Sequence, residues 1–312
     1  MVSARFRALI DHSSERDVTM TRVHTLSVRQ GFSYVLVAAI AWGTGGAAGA
    51  LLTRTGDLGP AAVSFWRFTI GAALLVVVGL LGRFRPRAGR IGWRDAAVAG
   101  PLMAVCQVAY FASIAETGVA LATMITMGAT PVLVALGGRV FLREPLGRAE
   151  AIAIALSVAG LLLMTGGDGT FSLWGVAWAL LSAVSYAATT LLARASSGDP
   201  YGRAVGGFSV GALCLLPVAA VSGLVPSQAD VPVLAYLGAV PTALAYALFF
   251  AGLTRVGATT ASVVVLLEPL VAAVIGIAAL GERPALGQVA GGALLLASVV
   301  VLARAQVGGR AR

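Results

Sequence analysis

The clearest candidate for chemistry in this sequence is a carboxylate inside an apolar stretch. Glu268 lies near the middle of the run at about 258–280 and directly precedes Pro269. In a hydrocarbon interior an ionised carboxylate costs about 2.5 kcal/mol or more unless it is paired or hydrated. The proline adds a second polar group, because it leaves the backbone carbonyl four residues before it without its usual donor. Glu268 is therefore expected either to exchange protons and bind a ligand or to pair with a buried cation.

Arg67 is the candidate cation. It lies about a third of the way along the apolar run at 60–81, and it is the one arginine inside such a run. An ion pair between Arg67 and Glu268 is the structural alternative to proton exchange, and the sequence leaves both open. Because a single arginine is available to bind an anion, a zwitterionic or cationic amphiphile is favoured over an acidic ligand.

Stripes of hydroxyl and aromatic side chains form a second candidate site. Thr123, Thr126, Met127 and Thr130 are spaced i, i+3, i+4 and i+7, which places them on one face of a helix. Since polar groups that face lipid are costly, such a face should line a cavity for an amphiphilic solute. The alternative is that Ser and Thr bond back to their own helix and that small residues let helices pack. The candidate solute-binding residues are Trp42, Gln107, Phe111, Thr123, Thr126, Met127, Thr130, Ser185, Tyr186, Thr189, Thr242, Tyr246 and Phe249.

The elements that position these residues are membrane-spanning helices. Of the 312 residues, 58% are hydrophobic and 11% are charged, and the mean hydropathy is +0.91. A soluble domain is about 25% charged, so the composition predicts an all-α polytopic membrane protein. Runs of about 20 apolar residues are long enough to cross the hydrocarbon core, and ten occur. The predicted spans are at about 31–52, 60–81, 95–114, 118–140, 149–165, 172–193, 204–224, 232–253, 258–280 and 285–303.

Several classes of site are excluded by the composition. Cys106 and Cys214 lie in apolar runs and His12 and His24 in the polar N-terminal segment, so neither a disulfide framework nor a metal centre is expected. A Walker A loop is absent, which argues against ATP hydrolysis. A membrane-embedded lipid-modifying enzyme would need clustered carboxylates, histidines or a metal, whereas Glu268 stands alone deep within a span. We expect no enzyme activity and no cofactor.

The basic residues indicate an orientation in the membrane. All 22 are arginine, and the formal net charge is +9. If the N-terminus is inside, 19 arginines fall on the inner side, against Arg54 and Arg283 on the outer side. Cytoplasmic loops carry the excess of basic residues, so both termini are predicted to be cytoplasmic and nucleic-acid binding is not expected. Residues 1–29 are predicted to be a disordered cytoplasmic tail, and residues 304–312 a second tail.

The chain contains an internal repeat, predicted at 33–164 and 174–303, in which Thr130 corresponds to Glu268. Five spans in each half is an odd number, so the second half must enter the membrane inverted. Inverted repeats with a cavity between them are typical of transporters. Two spacings recur in the two halves. Pro131 and Glu144 are as far apart in the sequence as Pro269 and Glu282, and Gly31 and Trp42 are as far apart as Gly175 and Tyr186.

These features resemble EamA domains of the drug/metabolite transporter superfamily over nearly the whole chain. The resemblance implies a ten-helix bundle, a central cavity lined mainly by helices 1, 3, 4, 6, 8 and 9, and alternating access. It also implies export of amino acids, metabolites or drugs. The residues that carry it are Ala41-Trp42-Gly43, Pro60 through Trp66-Arg67-Phe68, and the two Pro-to-Glu segments ending in Arg143-Glu144 and Gly281-Glu282.

The remaining polar residues are expected to be structural. Cys106 and Cys214 are expected to be small packing residues, and Pro131 and Pro269 to kink their helices. Glu144 and Glu282 are expected to cap helices or to pair with Arg143, Arg148 or Arg283.

Taken together, the sequence predicts a secondary active transporter in the cytoplasmic membrane. It is expected to be a proton-coupled exporter of amino acids, small metabolites or amphiphilic drugs. Import or facilitated passage of a small metabolite is the alternative. The expected partners are the solute, a proton and the lipid bilayer, and the chain is expected to be a monomer or a weak homodimer.

Overall fold

The computed structural model describes residues 27–55, 58–81, 93–165, 172–196, 199–280 and 285–308. Within these ranges all regular secondary structure is helical, with eleven α-helices and one π-helical segment, Gly238–Leu244. The helices are α1 (Val28–Thr55), α2 (Pro60–Leu80), α3 (Trp93–Phe141), α4 (Arg148–Thr165), α5 (Leu173–Ala195), α6 (Pro200–Val221), α7 (Val231–Leu237), α8 (Ala245–Leu253), α9 (Ala258–Val265), α10 (Leu267–Leu280) and α11 (Leu286–Gly308).

Seven helical segments in the described ranges are long and apolar enough to cross a membrane. Helices α1, α4 and α11 lie where the other three spans are predicted. The protein is thus an all-helical, multi-pass membrane protein, whereas the total of ten spans and the cytoplasmic placement of the termini stay predictions. The seven segments are Pro60–Leu80, Arg94–Gly118, Leu121–Phe141, Leu173–Ala195, Pro200–Val221, Val231–Leu253 and Ala258–Ile275.

Both predicted tails fall partly outside the described residues. Within 1–29, α1 begins at Val28. Within 304–312, α11 continues to Gly308.

Three of the helical segments are interrupted. The backbone of α3 is not helical at Gly118, whose φ of 79° suits glycine, so the third and fourth predicted spans are two helices, Arg94–Gly118 and Leu121–Phe141, that meet there. The eighth span consists of α7, the π segment around Pro241 and α8. The ninth span breaks at Leu266 into α9 and α10, close to Pro269, which cannot donate to the carbonyl of Val265.

Contacts between helix ends fall into two groups at opposite ends of the bundle. Successive spans cross the bundle in alternating directions. The start of α1 therefore lies at the same end of the bundle as Glu144, and the end of α1 lies at the same end as Trp66. We call these the Glu144 end and the Trp66 end. At the Glu144 end, the Ser196 hydroxyl donates to the Asp95 carboxylate, and Arg194 forms an ion pair with Glu144. Gly31 packs against Arg255 at the same end. The Trp66 end holds Trp66 Nε1 on the Leu224 carbonyl at 2.8 Å, Gly59 N on the Ser222 carbonyl at 3.1 Å and Ser172 Oγ on Glu116 at 2.9 Å.

Helices of the two halves pack in equivalent pairs. The second helix of each half, α2 and α6, pack together, and so do the last helices, α4 and α11. Gly31 at the start of the first half meets the Gly252 carbonyl in α8, and Gly175 at the start of the second meets Thr117 in α3. A side chain at either glycine would collide with the opposite half, so these small residues let the halves approach.

The bundle is apolar on its outside as well as in its core, where buried hydroxyl groups lie among the apolar side chains. Leu80 and Val221 are 82% and 87% exposed, whereas Phe208 and Ser182 are fully buried. In a soluble helix bundle the outer surface would be polar. The outer surface therefore requires lipid as its solvent.

Candidate functional site

A cavity of about 420 Å³ lies between the two halves. Volumes of this size are typical of small-molecule sites. Pro60, the first residue of α2, borders it, so the cavity extends towards the Trp66 end. The lining residues are Trp42, Gly45, Pro60, Val63, Arg67, Cys106, Gln107, Tyr110, Phe111, Thr126, Met127, Thr130, Ser182, Tyr186, Leu237, Tyr246, Ser262, Val265, Leu266 and Glu268.

Glu268 lines this cavity from the first turn of α10 rather than from the middle of a continuous helix. The backbone break at Leu266 precedes it by two residues. Gly43 of α1 packs directly against this turn, because a Cβ there would lie 2.8 Å from the Glu268 carbonyl oxygen and 2.7 Å from Val271 Cγ1. Only glycine allows so close an approach, so Gly43 determines how near α1 comes to the carboxylate.

Arg67 lines the same cavity from α2. Its Nε donates to Thr242 Oγ1 at 3.4 Å, and the Thr242 hydroxyl donates to the Leu237 carbonyl at 2.7 Å. Thr242 lies in the π segment, which packs closely on α2, since a Cβ at Gly71 would lie 2.8 Å from Thr242 Cγ2. The wide π turn therefore holds the hydroxyl that orients the guanidinium group.

Arg67 and Glu268 do not form a direct ion pair. In the ranges that the structure describes, Arg194–Glu144 is the one pair with an N···O distance within 4.0 Å. Arg67 and Glu268 are nevertheless within electrostatic range of each other and of Tyr246. The cavity thus presents separated positive and negative groups. The Arg67–Glu268 ion pair, which was the alternative to proton exchange by Glu268, is not formed in this conformation. The Nε of Arg67 is directed towards Thr242 instead.

Four aromatic rings form one wall of the site, which we call the aromatic wall: Trp42, Tyr186, Tyr246 and Phe249. The Trp42 ring lies 4.8 Å from Tyr246 at 68° and 5.2 Å from Phe249 at 60° between centroids and planes. Tyr186, which is equivalent to Trp42 in the other half, lies 6.5 Å from the same Phe249 ring. The Trp42–Tyr246 pair is edge-to-face and the other two pairs are tilted, and such contacts favour fixed ring orientations.

Two polar atoms of the aromatic wall have no partner. Trp42 Nε1 and the Tyr186 hydroxyl oxygen are buried and make no hydrogen bond to any described residue. A buried polar group without a partner costs about 1–3 kcal/mol. Both side chains line the cavity, but neither of these two atoms is itself exposed there in this conformation, so a ligand reaches them only after the side chains shift.

The Glu144 end of the site is closed. Behind the aromatic wall, Val35, Phe250 and Leu253 are at most 1% exposed. Beyond them, Arg194 Nε lies 2.7 Å from Glu144 Oε1, and Arg194 Nη1 donates to the Leu253 carbonyl at 3.2 Å. An apolar layer and a polar layer therefore separate the cavity from this end.

Glu144 caps a helix, as expected, because its carboxylate accepts from the backbone N of Ala258, the first residue of α9, at 3.3 Å. Its ion-pair partner is Arg194 rather than Arg143 or Arg148. The turn after α3, with Arg143 at φ 56°, directs the chain under the first turn of α9. Glu282 and Arg283, its expected counterparts in the second half, lie outside the described residues.

Eight of the thirteen candidate solute-binding residues line the cavity, together with Arg67 and Glu268. Among the other five, Thr242 orients Arg67, and the Thr123 hydroxyl lies 2.6 Å from the Tyr110 hydroxyl. Ser185 is 2% exposed and accepts, through its carbonyl, from Thr189 at 2.9 Å. Thr189 and Phe249 border a smaller adjoining space of about 20 Å³. The eight are Trp42, Gln107, Phe111, Thr126, Met127, Thr130, Tyr186 and Tyr246.

Some hydroxyl groups that face the cavity also bind the backbone, as the packing alternative expects. Thr126 Oγ1 donates to the Ala179 carbonyl at 3.2 Å, and Thr130 Oγ1 donates to the Thr126 carbonyl at 2.7 Å. These two residues therefore border the cavity while their protons are engaged elsewhere. They shape the cavity more than they donate to a ligand.

Sequence reasoning missed several lining residues. Tyr110 borders the cavity beside the predicted pair Gln107 and Phe111, and its i+3 spacing from Gln107 was the available signal. Cys106, expected to be a packing residue, lines the cavity and lies 3.4 Å from Ser182 Oγ. Nothing in the sequence distinguishes this cavity-lining cysteine from a cysteine packed in the core, since Cys behaves as a small apolar residue.

A metal site does not accompany the cavity in the described part of the chain. No three His, Cys, Asp or Glu side chains lie together there in a way that could hold an ion.

A helical membrane bundle built from two related halves around a solute-sized cavity defines a membrane transporter. The model of the EamA-like transporter family matches residues 29–166 and 173–304. Because the two matches cover nearly the whole chain, the protein belongs to the EamA-like transporter family.

The relatives agree with this assignment. The chain is 29% identical over 279 residues to "Uncharacterized transporter YwfM" of Bacillus subtilis (strain 168), a match that covers 87% of this chain and 93% of the relative. It is 29% identical over 273 residues to "Probable terminal-alkyne amino-acid exporter" of Streptantibioticus cattleyicolor, which covers 81% and 86%. A solved crystal structure at 19% identity shares the fold, with a TM-score of 0.75 over 87% of this chain and 95% of that chain.

Proposed function

We propose that the protein is a secondary active transporter that exports small amphiphilic solutes by alternating access. Amino acids, small metabolites and amphiphilic drugs are the candidate solutes. The observation that carries the proposal is the cavity of about 420 Å³, lined by both halves, which holds separated charges and is closed at the Glu144 end. A cavity that reaches only one end of a membrane bundle is what one state of an alternating-access cycle requires.

The direction of opening follows from the arginine distribution. The Glu144 end carries the start of α1 and the arginine-rich segments, so it is the cytoplasmic end in this proposal. The conformation is then outward-facing, with ten spans and both termini in the cytoplasm of a cell whose cytoplasmic membrane holds the protein. In the proposed cycle, this is the conformation from which the solute is released to the outside.

Glu268 is the proposed proton carrier. Its carboxylate lines the cavity without an ion pair, next to a helix break that allows the turn to move. A proton taken up from outside and released inside would couple the inward proton gradient to solute export. The name of the Streptantibioticus relative, an amino-acid exporter, supports amino acids as the first solutes to test.

The proposal is tested by flux in liposomes that contain the purified full chain. With an acidic lumen, labelled amino acids and amphiphilic cations should accumulate above the level of empty liposomes, and a protonophore should collapse the accumulation. Glu268→Gln should abolish accumulation driven by the pH gradient. It should still exchange internal for external solute at saturating concentration, because the amide keeps the shape of the side chain but cannot ionise.

Glu150→Gln is the matched control, since that carboxylate lies in the first turn of α4 and does not line the cavity. It should retain gradient-driven flux. Equal gradient-driven accumulation by wild type and Glu268→Gln would remove the coupling role of this residue. Failure of the wild type to move any solute in the panel would overturn the transport proposal itself.

A further inference from the structure

We infer that the cavity is a two-ended site for a zwitterion: an α-amino acid with an apolar side chain, its carboxylate on Arg67 and its ammonium group at Glu268. The inference rests on the proposed function and narrows its solute to one chemical class. It is carried by the separation of the two charges in one cavity and by the single weak hydrogen bond, to Thr242, that engages the Arg67 guanidinium group.

The end of the site that binds the carboxylate of the ligand is the guanidinium group of Arg67. Its Nε is engaged by Thr242, and its terminal N–H groups make no hydrogen bond to the residues that the structure describes. A guanidinium offers several N–H groups in a planar fork that matches the two oxygens of a carboxylate. Since Thr242 and the π segment fix the root of the fork, Arg67 is oriented before the ligand arrives.

The end of the site that binds the ammonium group of the ligand consists of Glu268 and the aromatic rings near it. Tyr110, Tyr186 and Tyr246 line the cavity within electrostatic range of the Glu268 carboxylate. An ammonium group is attracted to a carboxylate and to the faces of aromatic rings.

Charge balance selects a zwitterion over molecules with one charge. A bound zwitterion compensates both Arg67 and Glu268, whereas an amine leaves the arginine uncompensated and a carboxylic acid leaves the glutamate uncompensated. A site that hydrogen-bonds a polar group discriminates strongly against an analogue that lacks it. This discrimination is larger in a cavity within an apolar bundle than in water, because charges interact more strongly at low dielectric.

The remaining lining selects the side chain. Trp42, Phe111, Met127, Val265 and Leu266 present rings, a flexible thioether and aliphatic groups. Arg67 and Glu268 are the only charged residues among the described ones that line the cavity. With both occupied by the backbone groups of the amino acid, no third charge is left for a charged side chain. Apolar side chains are therefore the ones that fit.

The test compares three molecules of the same shape and different charge. Binding of L-phenylalanine, phenethylamine and 3-phenylpropionate to the purified full chain is measured by calorimetry, and the series is repeated with L-leucine, isoamylamine and 4-methylpentanoate. The wild type should bind the amino acid of at least one series about tenfold or more tightly than both analogues. No preference for the amino acid in either series would overturn the inference.

Two charge-neutral variants assign the ends. Arg67→Gln should bring the affinity for the amino acid down to that for the amine, and Glu268→Gln should bring it down to that for the carboxylic acid. Arg67→Lys, which keeps the charge but not the fork, should recover part of the preference. If a single variant does not fold, the double variant with both changes keeps the cavity neutral, and it should bind all three molecules with similar affinity. Retention of the full preference by Arg67→Gln or by the double variant would overturn the inference.

This result is separable from the proposed function. If a proton gradient drives flux of the cation ethidium while neither series shows a preference for the zwitterion, the transport proposal stands and the zwitterion site fails. If the amino acid binds with the expected preference but no solute moves, the site stands and the transport proposal fails.

Discussion

Glu144 and Arg194 connect the two halves of the bundle at one end. The Glu144 Oε1 to Arg194 Nε distance is 2.7 Å, although the residues lie 50 positions apart in the chain. Glu144 follows α3 in the first half, and Arg194 lies in the last turn of α5 in the second half. Arg194 also holds the Leu253 carbonyl at the end of α8, and Glu144 holds the first turn of α9. One ion pair therefore joins four segments beneath the aromatic wall.

The first prediction is that Glu144→Gln favours opening of this end. The two side chains are 30% and 23% exposed, so the pair contributes about 1 kcal/mol or less, which corresponds to about a fivefold change in population. In a background without Cys106 and Cys214, a cysteine at Val35, which is fully buried, should react with a maleimide up to about fivefold faster in the Gln variant.

Arg148→Gln is the control for this prediction, because it removes an exposed cation from the same segment without breaking an ion pair. It should leave the labelling rate at Val35→Cys unchanged. The closing role of Glu144 would be contradicted by equal rates in the Gln variant and its parent.

The second prediction concerns the contact between α1 and α10. Gly43→Ala should lower the melting temperature and the transport rate, because its methyl group would meet Val271 and the Glu268 carbonyl, with a cost of about 1–3 kcal/mol. Gly128→Ala is the matched change, since its nearest neighbour is Leu161 Cδ2 at 3.7 Å. It should be neutral or stabilising, as alanine is the better helix former. Thermal unfolding of both purified variants tests this, and equal melting temperatures would argue against the close approach.

The third prediction separates a ligand-binding hydroxyl from a structural one. Tyr186→Phe removes a buried hydroxyl that has no partner in the described residues, so it should raise the stability of the ligand-free protein, by up to about 1–3 kcal/mol, and weaken solute binding several-fold. Tyr201→Phe removes a hydroxyl that donates to the Leu75 carbonyl, so it should lower stability by about 1 kcal/mol and leave binding unchanged. Unfolding curves and binding isotherms for the two variants should show opposite patterns. A stability loss in Tyr186→Phe without a change in binding would place the hydroxyl in the fold rather than in the site.

The fourth prediction concerns orientation and follows from the arginine distribution. In intact cells, cysteines introduced at Thr55 and Gly167 should react with a membrane-impermeant reagent, and a cysteine at Gly89 should react only after permeabilisation. Labelling of Gly89→Cys alone in intact cells would mean that the bundle is inserted the other way round.

The sequence predicts the cavity-facing stripes well where a helix is regular. Thr126, Met127 and Thr130 line the cavity as their spacing requires. Thr123 belongs to the same stripe but lies one turn nearer the break at Gly118, and its hydroxyl is hydrogen-bonded to that of Tyr110. Spacing gives the direction in which a side chain leaves its helix, but not how far along the helix the cavity extends.

Features that depend on partners distant in sequence are not predictable from local patterns. The Arg194 partner of Glu144 and the Thr242 partner of Arg67 are 50 and 175 residues away. The break at Leu266 and the π turn around Pro241 lie in runs that read as uninterrupted apolar helices. A proline signals that a backbone bond is missing, but the surrounding helices determine whether the chain kinks, widens or breaks there.

The charge of the cavity also has an electrical consequence. Among the described lining residues Glu268 supplies the one carboxylate, and its equivalent in the first half is the uncharged Thr130. One carboxylate carries one proton, so in the proposed cycle the exchange of a proton for a neutral zwitterion moves one positive charge into the cell. The membrane voltage then drives export alongside the pH difference, with about 2.3 kcal/mol for each 100 mV. Such an electrogenic exporter continues to work in an alkaline medium, where the pH difference alone would supply nothing.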